Sequence, residues 1–431
     1  MAILSIEEQE LEELQDPTAS TFDTSEAEII EPVFSTNENT GLATLEQLEK
    51  GTYIPPKTTS STGVKNIGFT DSIASGGASL DTFSANVEQI TGSVDKDDTQ
   101  IIIGTPNADT LNGADGDDII TSLGVDDIVS GRNGDDLISG GGGNDYLLGD
   151  AGKDVVFGDS SPSADSGFIA SGNDSIFGGE GNDQLYGQDR QDSIYGDSGN
   201  DYIEGGTDND QINGDDGNDI LYGDNIEGSP GVSGDDTIFG NNGNDKIYGG
   251  RGNDSLEGGA GKDLLVGEQG YDSLNGGDGN DVLIGSDTGF SGQLQQGFGF
   301  GEKDVLIGGK NNDTFVLGLE KANARDVNGV DSVIFYVLLY NDGNSNASGT
   351  QDYALIKDFG FINDGVIRGV DKIQLAGSAS DYFLGASPDS SISGTGIFYT
   401  PSQSESELLG IVEGISVSDL SLSNNDQFIF V

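Results

Sequence analysis

Gly178 to Tyr186 reads GGEGNDQLY. The same plan returns as GDDGNDILY from Gly214 to Tyr222, GGRGNDSLE from Gly249 to Glu257 and GGDGNDVLI from Gly276 to Ile284. The shared pattern is G-G-x-G-x-D-x-U-x, with U a large apolar residue. Aligned on its Asp, it recurs twenty times between Gly104 and Val316, and every copy carries Leu, Ile, Val or Phe two residues after the Asp. A fixed period of this kind is the mark of a stacked repeat architecture.

The pattern has a chemical reading. The G-G-x-G half needs positive φ, which only Gly adopts cheaply, so it forms a tight turn with inward carbonyl oxygens. Asp adds a carboxylate at the end of that turn. The last three residues make a short strand, in which U faces one way and its neighbours the other. Two nonapeptides then make one coil, and units eighteen residues apart stack on the same side. Leu185, Ile194, Ile203 and Ile212 are U residues of a thin core. Full burial of such side chains stabilises by roughly 1.5–3 kcal/mol each, too little to offset the ordering of so many glycines. Each pair of stacked turns encloses a gap lined by carbonyls and two carboxylates. An all-oxygen, multidentate cage suits Ca²⁺ better than Mg²⁺, which demands tight octahedral geometry and keeps its water.

The units fall into blocks. The first carries Asp109, Asp118, Asp127, Asp136, Asp145 and Asp154. The second carries Asp174, Asp183, Asp192, Asp201, Asp210 and Asp219, and the third Asp236, Asp245, Asp254, Asp263, Asp272 and Asp281. Asp304 and Asp313 end the array. Insertions near 159–170, 225–233 and 286–300 separate the blocks and read as surface loops.

These nonapeptides resemble the RTX, or haemolysin-type, calcium-binding repeats. The resemblance implies a right-handed parallel β-roll with Ca²⁺ between turns. It also implies that the twenty Asp residues and the turn carbonyls are the ligands, drawn from two turns of one side, for example those ending at Asp183 and Asp201. A site joins units i and i+2, so the array would hold about 12 to 18 calcium ions, depending on whether the insertions interrupt the stack. Some units depart from the pattern. Ser122 to Ser130 reads SLGVDDIVS, Gly104 to Asn112 contains Pro106, and Arg190 and Asp208 stand where the third Gly belongs. Their turns are expected to give weaker sites.

Composition points the same way. The 431 residues include 70 Gly and carry a formal net charge of −59. Such a chain repels itself and needs cations to fold. It would also repel phosphates, which argues against a nucleic-acid partner. There is no Cys and no His. This excludes disulfides, thiolate chemistry, a Ser–His–Asp triad and an H-E-x-x-H zinc site. Paired carboxylates are so common here that they do not point to glycosidase chemistry. No run of about 18 apolar residues is present, so no transmembrane segment is expected.

The expected fold class is all-β: a parallel β-roll over residues 101–316, a compact β-rich C-terminal domain over 317–431 and a largely irregular acidic leader over 1–100. In the leader, Ile6 to Leu14 and Leu45 to Lys50 read as short helices, and the start lacks the basic and apolar parts of a secretory signal peptide. In the C-terminal part, Ser332–Leu339, Asp352–Phe359, Lys372–Leu375, Ile397–Tyr399 and Leu408–Val412 read as strands. Ile356 to Gly377 and the final DQFIFV, Asp426 to Val431, are similar to segments that follow RTX arrays in proteins exported by type I secretion. Asp358 and Asp371 either bind a further calcium or cap strands.

Aromatic residues recur beside U: Phe157, Phe177, Tyr186, Tyr195, Tyr222, Phe239 and Tyr248. They read as outward ladders, such as Phe157 with Tyr186 and Tyr222 with Tyr248, that either stiffen a sheet or form a polysaccharide-contacting strip or an association surface. The expected function is that of a secreted, non-enzymatic calcium-binding protein, structural or adhesive at the cell surface or in extracellular matrix. Its expected partners are calcium, the type I secretion machinery and cell-surface or matrix polysaccharide. The alternative is a secreted polysaccharide-active enzyme or a glycan-binding accessory protein.

Overall fold

A computed structural model of the chain describes residues 99–159, 171–224, 234–286, 303–324, 333–338, 353–360, 371–400 and 406–431. The expected leader helices and most of the three insertions lie outside these residues. The described residues form two compact units, divided between Tyr202 and Ile203. No helix among them is long and apolar enough to cross a membrane.

The unit ending at Tyr202 is two stacks of short parallel strands. One contains Ile101–Ile103, Ile119–Thr121, Leu137–Gly141, Val155–Asp159 and Gln184–Gln188. The other contains Thr110–Asn112, Ile128–Asn133, Tyr146–Ala151, Ser175–Glu180 and Ser193–Ser198. Successive strands of the chain alternate between the stacks, as two nonapeptides per coil require. The register is kept by the U residues: Ile120 pairs Ile138, and Ile176 pairs Ile194. Ile120, Val129, Ile138, Leu147, Val156, Ile176, Leu185 and Ile194 are fully buried, because alternation in a three-residue strand leaves one side chain to face inward. The pairing survives the first insertion without slipping, since Val156 pairs Leu185. A one-residue slip would turn every U outward.

The unit beginning at Ile203 repeats this plan. One stack runs Ile220–Asp224, Lys246–Arg251, Leu264–Gln269, Val282–Ile284 and Thr314–Val316. The other runs Gln211–Asp216, Thr237–Asn242, Ser255–Gly261, Ser273–Gly279 and Val305–Lys310. The stacks do not stop at Val316. Lys372–Leu375 adds in parallel to Thr314–Val316, and Phe428–Phe430 adds to Lys372–Leu375. Ala354–Ile356 likewise extends the other stack, followed by Glu407–Glu413. There the sense reverses, and Gly394–Tyr399 and Tyr382–Ala386 complete the sheet as antiparallel strands. A solenoid otherwise ends in a row of unpaired backbone groups that templates association. Here C-terminal strands cover that end of the parallel ladder. Gly318–Ala324 and Val333–Leu338 form a separate antiparallel pair. Each of the five C-terminal segments read as strands contains a strand or lies within one.

Candidate calcium sites

The turn sequence decides the site. In GGEGND, Gly179 and Gly181 sit at φ of 113° and 147°, conformations that L side chains rarely adopt. The turn then delivers Asp183 inward, where it is 1% exposed. Nineteen of the twenty repeat Asp residues, all except Asp109, are buried to this degree. Asp109 belongs to the first unit and is half-buried.

Burial brings the carboxylates into a ladder. In sixteen of the twenty units the N–H of the Asp donates to Oδ1 of the repeat Asp one coil further on. In the unit ending at Tyr202, these bonds join Asp109 to Asp127, Asp118 to Asp136, Asp127 to Asp145, Asp136 to Asp154, Asp145 to Asp174, Asp154 to Asp183, Asp174 to Asp192 and Asp183 to Asp201, at 2.7–2.8 Å. In the other unit they join Asp210 to Asp236, Asp219 to Asp245, Asp236 to Asp254, Asp245 to Asp263, Asp254 to Asp272, Asp263 to Asp281, Asp272 to Asp304 and Asp281 to Asp313, at 2.8–3.0 Å. The step is 18 residues except across the insertions, where it becomes 29, 26 or 32.

One oxygen of each bonded Asp pair is thus spent on backbone. At the start of the array the other is spent too, since Asp109 Oδ2 accepts the Thr105 N–H and Asp118 Oδ2 the Ala114 N–H. Further along it is not. The Oδ2 atoms of Asp136, Asp145, Asp154, Asp174, Asp183, Asp236, Asp245, Asp254, Asp263, Asp281 and Asp313 are buried without a hydrogen-bond partner. A buried carboxylate oxygen without a partner is costly. Burial, reinforced by neighbouring carboxylates, pushes the Asp154, Asp174, Asp236 and Asp281 carboxyls up to about 8 and the Asp192 carboxyl up to about 9. Asp183 rises to about 6. In each case donated backbone N–H groups offset only part of the burial cost.

The first Gly of the turn shows what surrounds that oxygen. A Cβ placed on Gly178 would lie 2.6 Å from Asp183 Oδ2 and 2.8 Å from the carbonyl oxygen of Gly196, the first Gly of the next coil. A Cβ on Gly258 would lie 2.6 Å from both Asp263 Oδ2 and the Gly276 carbonyl. A carboxylate oxygen and a carbonyl oxygen therefore converge where the chain carries no side chain. Among the described residues no three acidic side chains gather at one point, so a cation here draws on carbonyls as much as carboxylates. Hard oxygen donors of both kinds fit Ca²⁺.

Departures from the motif change side chains more than backbone. Arg190 and Asp208 hold φ of 88° and 68°, the left-handed conformation of the Gly they replace. The ladder bond from Asp174 to Asp192 continues past Arg190.

Asp358 and Asp371 both accept backbone N–H groups. Asp358 accepts the N–H groups of Gly308 and Gly309 at 2.8 and 2.7 Å, one on each oxygen. Asp371 accepts from Asp313 at 3.0 Å and from Gly360 at 2.5 Å. Asp371 thereby continues the Asp ladder beyond the glycine-rich turns, with Ile373 as its buried U residue.

Two features escaped the sequence reading. A second ladder runs along the residue before each Asp. Asn244 N–H donates to Asn218 Oδ1 at 2.8 Å, and Lys262 N–H donates to Asn244 Oδ1 at 2.9 Å. Asn253 uses Asp235 in the same way, and Asn200 uses Asn182. This ladder is exposed and runs opposite to the Asp ladder. Its signal is in the sequence, since fourteen of the twenty units have Asn or Asp at that position. The other feature is Asp159, at the exit to the first insertion. Its carboxylate accepts from Gly172, where the chain returns, and from Asp189 in the next coil, each at 3.1 Å.

The aromatic ladders form as expected. Phe157 stacks on Tyr186, Phe177 on Tyr195 and Tyr222 on Tyr248, with centroids 4.7–4.9 Å apart and planes within 11°. Phe157 and Tyr248 are buried. The stacked rings spend their faces on one another.

Parallel stacked coils with buried carboxylates at nineteen of twenty turns define a β-roll of the metal-binding kind. A family model described as the RTX calcium-binding nonapeptide repeat (4 copies) matches residues 97–129, 124–156, 170–194, 195–225, 230–265 and 257–287. The chain therefore carries RTX repeats across 97–287, and repeats of this family bind calcium. No curated protein matches the chain.

Proposed function

We propose that the roll is a calcium-gated structural element of a secreted, non-enzymatic protein. The observation that carries this reading is the row of buried Asp Oδ2 atoms without partners, most of them beside a carbonyl of the next coil. The repeat Asp residues from Asp136 to Asp313 are the proposed carboxylate ligands, with the turn carbonyls completing each site. When bound, calcium supplies the positive charge that a chain of −59 lacks. The protein's own groups hold the turns in register through the Asp ladder and leave the second oxygen for the ion.

At ten times its Kd, calcium stabilises each site by about 1.4 kcal/mol. Extracellular calcium modules bind at about 10⁻⁴–10⁻³ M. At cytosolic calcium the same contribution is near zero. The chain would then be unfolded where a narrow type I exporter requires it and folded outside. The role that follows is structural or adhesive, at the cell surface or in matrix. Polysaccharide is the partner class we place with it.

Calcium titration of the full chain followed by circular dichroism tests the reading. A coil-to-β transition is expected at roughly 0.1–1 mM Ca²⁺, with little response to Mg²⁺. A chain fully β-folded in chelator at neutral pH would sink it.

A further inference from the structure

Position one of the turn is Gly in nineteen of the twenty units, counting Gly158, Gly223 and Gly285 as the opening residues where an insertion follows, and the exception is Ser122. Backbone conformation does not explain the preference. Gly178, Gly240 and Gly258 hold this position without positive φ. Space explains it. At Gly240 a Cβ would lie 2.5 Å from both Asp245 Oδ2 and the Gly258 carbonyl. The missing side chain is the opening between the two oxygens.

Ser122 fills that opening in its own turn. It is fully buried. Its N–H donates to the Ser139 carbonyl at 3.0 Å, as the ladder of the sheet requires. Its hydroxyl donates to the carbonyl of Gly140, the first Gly of the next coil. That carbonyl is the counterpart of Gly196 O above Gly178. The hydroxyl also lies beside the Asp127 carboxylate, whose upward shift from burial it partly offsets. The side chain thus takes the place, and one of the two oxygens, that a cation would use. The preceding turn of the same stack is also satisfied from within: Thr105 gives both its N–H, at 2.6 Å, and its hydroxyl, at 2.9 Å, to Asp109 Oδ2.

We propose that the Ser122–Asp127 turn takes no calcium, because the Ser122 hydroxyl plugs its site, and that this rung closes without metal. The inference rests on the calcium reading above. A metal-free rung at the start of the array offers a folded edge on which calcium-requiring coils stack, since the first contacts of a repeat array are the ones without a partner to stack on.

The test is the number of calcium ions bound by the full chain at saturation, read by native mass spectrometry and equilibrium dialysis. Ser122→Gly should add one ion to the parent's count. Gly178→Ser, which installs the plug elsewhere, should remove one. An unchanged count in folded Ser122→Gly overturns the proposal. Should Ser122→Gly not fold, Gly178→Ser decides: a full count there shows that a hydroxyl at position one does not exclude the ion, and the proposal falls. A parent that binds no calcium overturns the calcium reading itself, an outcome distinct from either variant result.

Discussion

The N–H of Asp136 donates to Oδ1 of Asp154 at 2.8 Å, and Oδ2 of Asp154 is buried without a hydrogen-bond partner. One carboxylate thus has two separable duties, holding the previous coil and presenting an oxygen to the gap. Asp154→Asn keeps a carbonyl oxygen for Asp136 and removes the charge. Asp154→Ala removes both. In saturating calcium the Asn variant should bind fewer ions and lose only the stability that those ions contribute. The Ala variant should lose a further ~1–3 kcal/mol, the cost of a buried unpaired N–H. Calcium counting and chemical denaturation of both variants separate the two duties.

The raised carboxyls make acid a partial substitute for calcium. An unfolded Asp titrates near about 3.9. In the folded roll without metal, burial holds Asp136 and Asp145 up to about 7 and Asp154 and Asp174 up to about 8. Between these values the folded state binds protons that the unfolded state does not. Unfolding free energy then falls as pH rises through this window. In chelator, β content should therefore increase as pH drops from about 8 toward about 5, without added metal. With calcium present the trend reverses, because protons compete for the same oxygens. Circular dichroism across pH, with and without calcium, reads both signs; β content in chelator that is flat over that range would refute the burial argument.

The exposed ladder should matter less than the buried one. Asn244→Ala removes the acceptor of Lys262 N–H and the side-chain bond to Asn218 at 2.9 Å. Water can replace these partners, so the loss should be about 0.5–1.5 kcal/mol. The calcium count should not change. A lost ion in this variant would mean that the outer ladder shapes the site.

Tyr222→Ser tests the aromatic column. Tyr222 and Tyr248 are 4.7 Å apart and nearly parallel. Breaking the pair should cost about 0.5–1.5 kcal/mol beyond the lost burial. The calcium midpoint should shift only as far as that stability loss requires. A thermal melt in saturating calcium gives the first number and a calcium titration the second.

The C-terminal end carries its own prediction. Asp358 accepts two N–H groups from the last glycine pair, Gly308 and Gly309. Asp358→Ala should expose those groups at the end of the glycine-rich turns. Hydrogen exchange at Gly308 and Gly309 should speed up, while exchange around Asp183 stays as in the parent.

Much of this molecule was legible from one sequence. The period of nine, the invariant Asp and the apolar residue two positions later dictate turn, inward carboxylate and core, because a three-residue strand has one inward side and a left-handed turn favours Gly. That is why Leu185 and Asp183 lie buried where the pattern places them. The C-terminal strands were legible from their apolar, β-branched runs. Their partners were not. Which backbone Phe428–Phe430 pairs with depends on contacts distant in sequence, and only the folded chain sets it beside Lys372–Leu375. The division of labour within each Asp was equally out of reach: residue type says that a carboxylate is present, but the approach of the next coil decides that Oδ1 receives an N–H and Oδ2 does not. The role of Ser122 is of the same kind. Its sequence marks a departure from Gly, and only the Gly140 carbonyl facing it turns that departure into a closed site.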